Sequence, residues 1–431
     1  MITKNHDDYN GNIDYWTQTR VFTKGHKGVQ QYLYPVTLEA DPQSVERNIY
    51  YKARAKYTNF AKRTKNALVG AVFRKNEKIE LPTKLEYLRL NANGAGKTLN
   101  NVAKNIVTNI VEVGRHGIFV DYGNNAKIIT YTAENITDWA EDDSGVLNYV
   151  QLVIASDSKD EYIKELHIIE DTYMVAILKN GIIINEFTPT KFDGSTFKEI
   201  PFIFVGSVDN TPTVDEIPLW SIVDVSQGHY QNSADYEDIL RYQLPTPYIT
   251  GMTKSYIDQV YPNGFIEFGS GAMITAPDGA SVGLLQANAN QMHQVAMNEK
   301  ENQLVMLGAR LVQGGGQAET AEAVRIKYSA ENGILSNLVG NVTSAMLKAL
   351  SWCGEFEGTD EEIEYEINQD FWDASLSAQE ISAEILLLDR GVKAMSDVRN
   401  TLRDFGSIKP ERTDEDIDAD VEVTGGGLDN D

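Results

Sequence analysis

Residues 288–353 hold two helix-length segments on either side of Gln313-Gly314-Gly315-Gly316-Gln317. The first covers 288–312. The second covers 319–353, with bends predicted at Gly333 and Gly340. Glycine populates left- and right-handed backbone alike, so three in a row end a helix and leave the loop's path open. At 1.5 Å per residue the second segment alone reaches about 50 Å. A helix–loop–helix unit of this length predicts a structural subunit of a larger assembly rather than an enzyme.

The 431 residues suffice for roughly two or three domains of about 150 residues each. No apolar run approaches the roughly 20 residues of a membrane span. The first residues, Met1-Ile2-Thr3-Lys4-Asn5-His6-Asp7-Asp8, lack the apolar core of a secretory signal. The single cysteine, Cys353, cannot form an internal disulfide and suits a reducing compartment. Ala349, Leu350, Ser351 and Trp352 place it at the end of an apolar helix, as a small buried residue rather than a nucleophile.

A formal net charge of −25 argues against gripping DNA through phosphate neutralisation, which needs clustered Lys and Arg. It is compatible with DNA sliding past. The charge is also uneven. Residues 41–78 carry ten basic and three acidic side chains, whereas residues 355–431 carry six basic and 23 acidic ones. Distinct partners or neighbouring subunits are implied for the two regions.

Residues 1–40 read as an irregular arm anchored by Tyr15, Trp16, Phe22, Tyr32 and Tyr34. Asp41-Pro42 opens a helix, with Asp as N-cap and Pro at the first helical position. Val45, Ile49, Ala53, Tyr57, Phe60, Thr64, Leu68 and Ala71 then form one apolar stripe along about 45 Å of continuous helix, with basic residues on the other face. A second helix is predicted from Thr98 to Val113, ended by Gly114. Residues 118–205 are β-rich, with Lys179-Asn180-Gly181 as a hairpin signal. Ile217-Pro218-Leu219 opens a third helix that reaches Tyr242. Its face of Ser226, Gln227, Gly228, His229, Gln231, Asn232, Ser233 and Asp235 is unusually small and polar. Residues 248–286 read as short strands and turns. Beyond 355 come a strand at 363–367, short helices at 378–389 and 396–405, and a tail, 414–431, too charged and glycine-rich to fold alone.

Chemistry-bearing motifs are weak. Asn91-Ala92-Asn93-Gly94-Ala95-Gly96-Lys97-Thr98 ends like a phosphate-binding loop and opens a helix. Its first glycine is replaced by Asn91, and the segment before it, 84–90, reads as a charged helix instead of a buried strand. A flexible linker with a Thr98 cap is the expectation. His6-Asp7-Asp8-Tyr9-Asn10-Gly11 fits a calcium loop poorly, with His6 first and Thr17 at the closing acid. The six histidines are scattered, so no metal site and no cofactor are predicted. Gly-x-Ser-x-Gly is absent. Asp142-Asp143 and Glu361-Glu362 read as solvated turns, and no catalytic residue is assigned. The basic helix, with Lys52, Arg54, Lys56, Lys62, Arg63 and Lys65, reads as a solvated face or a docking surface for the acidic C-terminal region, ahead of a nucleic-acid surface.

Three stretches together resemble the portal proteins of tailed bacteriophages, particularly a divergent branch found in podophages and siphophages. The first is Tyr32-Leu33-Tyr34-Pro35, Tyr51-Lys52-Ala53-Arg54-Ala55, Asn59-Phe60-Ala61-Lys62-Arg63-Thr64 and Val69-Gly70-Ala71-Val72-Phe73-Arg74-Lys75. The second is His229-Tyr230-Gln231-Asn232-Ser233-Ala234-Asp235 leading to Pro245-Thr246-Pro247. The third is Met306-Leu307-Gly308-Ala309-Arg310-Leu311, the glycine loop, and Glu319-Thr320-Ala321-Glu322-Ala323-Val324-Arg325-Ile326. The triple glycine and the acidic tail depart from the family's pattern.

The resemblance implies an α+β portal-protein fold. Residues 1–216 would be a β-rich wing, 217–242 and 287–312 the stem helices, and 243–286 the clip. Residues 313–318 would form the tunnel loop, 319–354 the long helix after it, 355–413 a short helical crown and 414–431 a disordered acidic tail. It implies a homo-oligomeric ring, commonly of twelve subunits, at one capsid vertex of a virion assembled in the host cytoplasm. Double-stranded DNA would pass weakly and non-specifically along Gln313, Gly314, Gly315, Gly316 and Gln317. The clip, with Tyr248, Tyr256, Tyr261, Phe265 and Phe268, would dock terminase and the head–tail adaptor or tail proteins, and the ring would sit in a shell of major capsid protein. Stem contacts between subunits would use His229, Gln231, Asn232, Asp235, Gln303 and Arg310. The alternatives are a nucleotide-hydrolysing packaging protein using Lys97 and Thr98, or a non-ring nucleic-acid-binding capsid adaptor.

Overall fold

The computed structural model describes residues 5–38, 41–156, 159–242, 246–263, 266, 274–285, 291–308, 321–369, 371, 385–388, 390–404, 408 and 412–425. The chain divides into two compact units, residues 1–70 with 78–366, and residues 71–77 with 367–431.

The first unit opens with a helix where an irregular arm was expected. Helix α1 (Asp7–Lys24) is capped by the His6 ring, which accepts from the Asp8 N–H. Its inward positions include Trp16, Thr19, Phe22 and Thr23. Two threonines on the buried line explain why no apolar period is visible. Their neighbour Arg20 pairs with Glu112 and Glu134 at 2.7 and 2.8 Å, partners about a hundred residues away. A short α2 (His26–Val29) follows.

The expected single basic helix is two helices, α3 (Pro42–Arg54) and α4 (Phe60–Val72). Asp41 caps α3 as the sequence predicts, accepting from the Gln43 and Ser44 N–H groups. The break at 55–59 is a tertiary effect. The Lys56 N–H donates to Ser233 Oγ at 2.8 Å and the Tyr57 hydroxyl donates to the Phe22 carbonyl at 2.7 Å. Asn59 Oδ1 then accepts from the Lys62 N–H and restarts the helix.

Strand β1 (Lys78–Glu80) and the short α5 (Leu88–Asn91) lead to α6 (Leu99–Val113). Thr98 caps α6 by accepting from the Asn101 N–H, and Gly114 closes it at φ +76°, as the sequence predicts. Eight strands follow: β2 (Arg115–Tyr122), β3 (Ala126–Thr132), β4 (Ile136–Glu141), β5 (Leu147–Ser156), β6 (Glu161–Ile169), β7 (Thr172–Lys179), β8 (Ile182–Phe187) and β9 (Phe202–Gly206). They make two antiparallel sheets, a three-stranded β3-β2-β9 and a five-stranded meander β4-β5-β6-β7-β8. Asn180 and Gly181 both take positive φ, the mirror-image turn that matches strand twist.

Helix α7 (Trp220–Tyr242) leads to β10 (Thr246–Thr250), α8 (Lys254–Val260), β11 (Ser281–Leu285) and α9 (Met292–Met306). Helix α10 (Ala321–Glu357) runs on through Gly333 and Gly340 as one helix of 37 residues, and β12 (Glu364–Glu366) pairs with β1. The apolar side of α10, from Leu335 to Phe356, is buried on β2, β9 and α6, so the long helix forms the spine of this unit's core.

The second unit contains α11 (Met395–Asp404) and α12 (Asp414–Gly425). The tail expected to stay unfolded is therefore helical up to residue 425. Arg399 and Arg403 of α11 and the nearby Arg412 pair with Asp418, Asp414 and Asp420, which offsets the acid repulsion that the sequence alone leaves uncompensated. Most of the expected helix at 378–389 lies outside the described residues; 385–388 are helical.

Candidate functional site

The excursion from α7 to α9 is a hairpin of helices that carries a small β-tip. Helix α7 feeds β10, β10 pairs antiparallel with β11, β11 feeds α9, and α9 packs back along α7. Twenty-three residues of α7 span about 35 Å. Gly228 lets the helices close. A Cβ there would lie 2.8 Å from Lys300 Cε of α9. At the next residue, His229 Nε2 lies 3.2 Å from Glu301 Oε1 while its ring meets Phe60 edge-on at 5.6 Å. Burial pushes the His229 imidazole below its ordinary range, against the pull of Glu301.

The small polar face of α7 is occupied within the chain. Ser226, Ser233 and Ala234 are buried. Gln231 Nε2 donates to the Tyr32 carbonyl at 3.2 Å, and Asp235 Oδ1 accepts from the Tyr51 hydroxyl at 2.7 Å. Burial, and then Asp235, push the Tyr51 phenol up. Arg47 and Arg54 reach Asp238 at 3.0 and 3.2 Å. The basic side of α3 is thus a docking surface for acids of α7. That leaves the stripe Val45, Ile49 and Ala53 facing outward, the reverse of the sense its apolarity predicts. Asn232 is half-buried and Gln303 exposed; Arg310 lies outside the described residues.

At the tip, the Tyr248 ring covers Gly283 directly across the ladder, in the space a side chain on residue 283 would need. The Tyr261 hydroxyl both donates to the Thr275 carbonyl and accepts its N–H, at 2.8 and 2.9 Å, which closes the base of the tip. Tyr256 is half-buried in α8. Phe265 and Phe268 lie outside the described residues. Val282, Leu284 and Leu285 are all more than half exposed, an apolar surface the sequence reading did not single out. Their signal was present as an apolar run after the turn at Pro277-Asp278-Gly279.

The long helix α10 is pinned to the strands and turns beneath it. Asn337 donates to the Val208 carbonyl at 2.9 Å and Asn341 to the Gly206 carbonyl at 3.1 Å, while Asn210 donates to the Asn341 carbonyl at 2.9 Å. Trp352 and Lys348 both reach Glu199. The predicted tunnel-loop residues Gln313, Gly314, Gly315, Gly316 and Gln317 lie outside the described residues.

The glycine–lysine loop is filled by its own asparagines. Asn93 Oδ1 accepts from the Ala95 and Lys97 N–H groups at 3.0 Å each, and Asn91 Oδ1 accepts from the Gly96 N–H at 2.7 Å. Those are the donors a phosphate would need. No group of three His, Cys, Asp or Glu side chains among the described residues could hold a metal ion. Cys353 is buried, and burial pushes its thiol up. Arg115 is buried too, stacked 3.9 Å from the Phe204 ring centroid and 4.4 Å from that of Trp139, and desolvation lowers it to about 9. Its carbonyl contacts at Pro212 and Thr213 read as structural anchoring of the 207–216 turn. No helix of the described residues is long and apolar enough to cross a membrane.

Residues 218–357, from the start of α7 to the end of α10, match a family model described as a domain of unknown function (DUF4055). No curated protein matches the chain. Among solved structures, a chain of the virion of a native gene transfer agent particle is 14% identical, with 88% of this chain and 94% of that one covered and a TM-score of 0.46. A chain from the neck of the native particle, computed with C12 symmetry, is 14% identical over 80% and 89% with a TM-score of 0.47. An HK97-family phage portal protein from Corynebacterium diphtheriae is 9% identical over 75% and 99% with a TM-score of 0.36. At those scores the likeness fixes no correspondence between elements.

Proposed function

We propose that this chain is a non-enzymatic structural subunit of a ring-shaped portal at one vertex of a phage capsid, through which double-stranded DNA is packaged and ejected. The observation that carries this function is the α7–β10–α8–β11–α9 hairpin flowing into the long helix α10, the order of parts that the sequence resemblance implies. In this function α7 and α9 are the stem, the β10–α8–β11 tip is the clip, and Gln313 to Gln317 face the channel. His229, Gln231 and Asp235 brace the stem inside each subunit, and Asn232, Gln303 and Arg310 are left to face the neighbouring subunit. Tyr248, Tyr256, Tyr261, Phe265 and Phe268 would present the tip to terminase and then to the head–tail adaptor. A net charge of −25 favours weak, sliding contact with DNA over tight binding.

The test is genetic. Phage lacking this chain should yield heads without packaged DNA, and supplying the chain in trans should restore filling. Normal DNA content in its absence would exclude the function.

A further inference from the structure

The first unit holds a concentration of positive charge that its own ion pairs do not use. Residues 15–38 and 47–76 contain no Asp or Glu, in a chain with 63 acidic and 38 basic side chains. The fold brings these two segments together. Asn59, in the link between α3 and α4, donates from Nδ2 to the Thr23 carbonyl at 3.2 Å, and the Tyr57 hydroxyl donates to the Phe22 carbonyl. The end of α1 therefore lies against the α3–α4 link. Lys24 and Lys27 come to this junction from one segment, and Lys52, Lys56, Lys62 and Arg63 from the other. Lys52 is half-buried and the other five are exposed.

The chain's own acids do not answer these six. Arg20, Arg47, Arg54 and Lys65, from the same segments, pair with Glu112, Glu134 and Asp238. None of the six has an ion-pair partner among the described residues. The acidic C-terminal region, the docking partner expected from sequence, is engaged in its own unit, where Asp414, Asp418 and Asp420 pair with Arg403, Arg399 and Arg412. Like charges held close repel one another, and an external polyanion relieves that repulsion. Duplex DNA carries one phosphate charge per about 1.7 Å of its axis, and unpaired Lys and Arg release its counterions. Five of the six are lysines, whose compact charge suits phosphate contact without reading the bases.

We propose that Lys24, Lys27, Lys52, Lys56, Lys62 and Arg63 form a sequence-independent contact for the phosphate backbone of duplex DNA, additional to the one assigned to Gln313 to Gln317. The binding is a property of the patch. Its assignment to the packaged genome rests on the portal function proposed above.

The test measures binding of the full chain to a labelled duplex by fluorescence anisotropy, over about 50 to 200 mM salt. Wild type should bind, with an affinity that falls steeply as salt rises and stays the same when the base sequence is changed. Lys62→Gln/Arg63→Gln should flatten the slope of log affinity against log salt by about 2 per bound copy. Lys56→Glu/Lys62→Glu/Arg63→Glu should weaken binding about tenfold or more. Lys104→Gln/Lys198→Gln removes two exposed lysines elsewhere in the unit that also lack ion-pair partners, and should bind as wild type. Every variant should melt no lower than wild type, because the side chains changed hold no ion pair. No binding by wild type at the lowest salt, undiminished binding by the charge-reversal variant, or an equal loss in the Lys104/Lys198 variant would each overturn the contact. Charge reversal that dissolves oligomers of a chain that does not bind DNA would give the patch to a second copy and overturn it too. The portal function stands under each of these outcomes, since loss of the whole chain tests it separately.

Discussion

Replacing Arg20 with Met tests what holds α1 to the rest of its unit. The Arg20 guanidinium donates from Nη1 to Glu112 at 2.7 Å and from Nε to Glu134 at 2.8 Å, and Glu112 is only 5% exposed. Met fills similar volume but leaves two carboxylates behind. Removing one partner from a buried ion pair costs about 3–5 kcal/mol. Lys65 Nζ remains 3.4 Å from Glu112, so the lower end applies, about 3 kcal/mol. At 1.4 kcal/mol per factor of ten, α1 should open about 100-fold more often. Hydrogen exchange on α1 peptides reads this directly, with α10 peptides as the internal control. The acid side of the same network has a defined sign. Burial pushes the Glu134 carboxyl up, but the Arg20 hydrogen bonds and charge outweigh it and hold it below its ordinary 4.5. A depressed carboxylate stabilises the fold above its unfolded value. That stabilisation is lost as pH falls from 4.5 through the lower folded value. Wild-type α1 should therefore lose protection in that window, and Arg20→Met should lose the dependence. Unchanged α1 exchange in Arg20→Met would refute the idea that this network fixes the helix.

Gly114→Ala places a Cβ 2.6 Å from the Glu216 carbonyl oxygen on a backbone at φ +76°, so the variant should lose about 2–5 kcal/mol and melt clearly lower; a wild-type melting temperature would contradict the close approach. His229 is a base whose folded pKa lies below 6.5. The opened hairpin binds its proton more readily, so α7–α9 packing should be at full strength above pH 6.5 and weaken below it. His229→Phe should flatten that slope in exchange measurements on α9, and an identical slope in both proteins would rule the group out. Because Asn91 and Asn93 occupy the donors of the Gly-Lys loop, ATP should leave the melting temperature unchanged in wild type and in Lys97→Ala alike. An ATP-induced rise abolished by Lys97→Ala would revive the nucleotide-hydrolysing alternative.

What was legible in the sequence was set locally. Helix α6 could be read to within a residue because Thr98 caps it, apolar residues recur at 99, 102, 106, 110 and 113, and Gly114 ends it. Asn180-Gly181 fixes its own turn. What was hidden depended on distant partners. Helix α1 buries threonines beside an arginine satisfied by Glu112 and Glu134, which no local period records. The 55–59 break depends on Ser233. In strand β4 the buried Thr137 interrupts the apolar alternation and is satisfied by Gln151 on β5, so its period is not a local one. The α3 stripe was legible as apolar but not in direction, since the pull of Asp235 and Asp238 turns the basic side inward. His229, Gln231 and Asp235 were expected to face a neighbouring subunit, and the chain itself supplies a bonding partner to each.

The most direct measurement is an image of the purified full-length chain by negative-stain or cryo-electron microscopy. Closed rings with a central hole wide enough for duplex DNA, about 20 Å or more, are the expected result. A protein that stays strictly monomeric at every concentration, with no such ring at a vertex of the virion, would contradict the portal function outright.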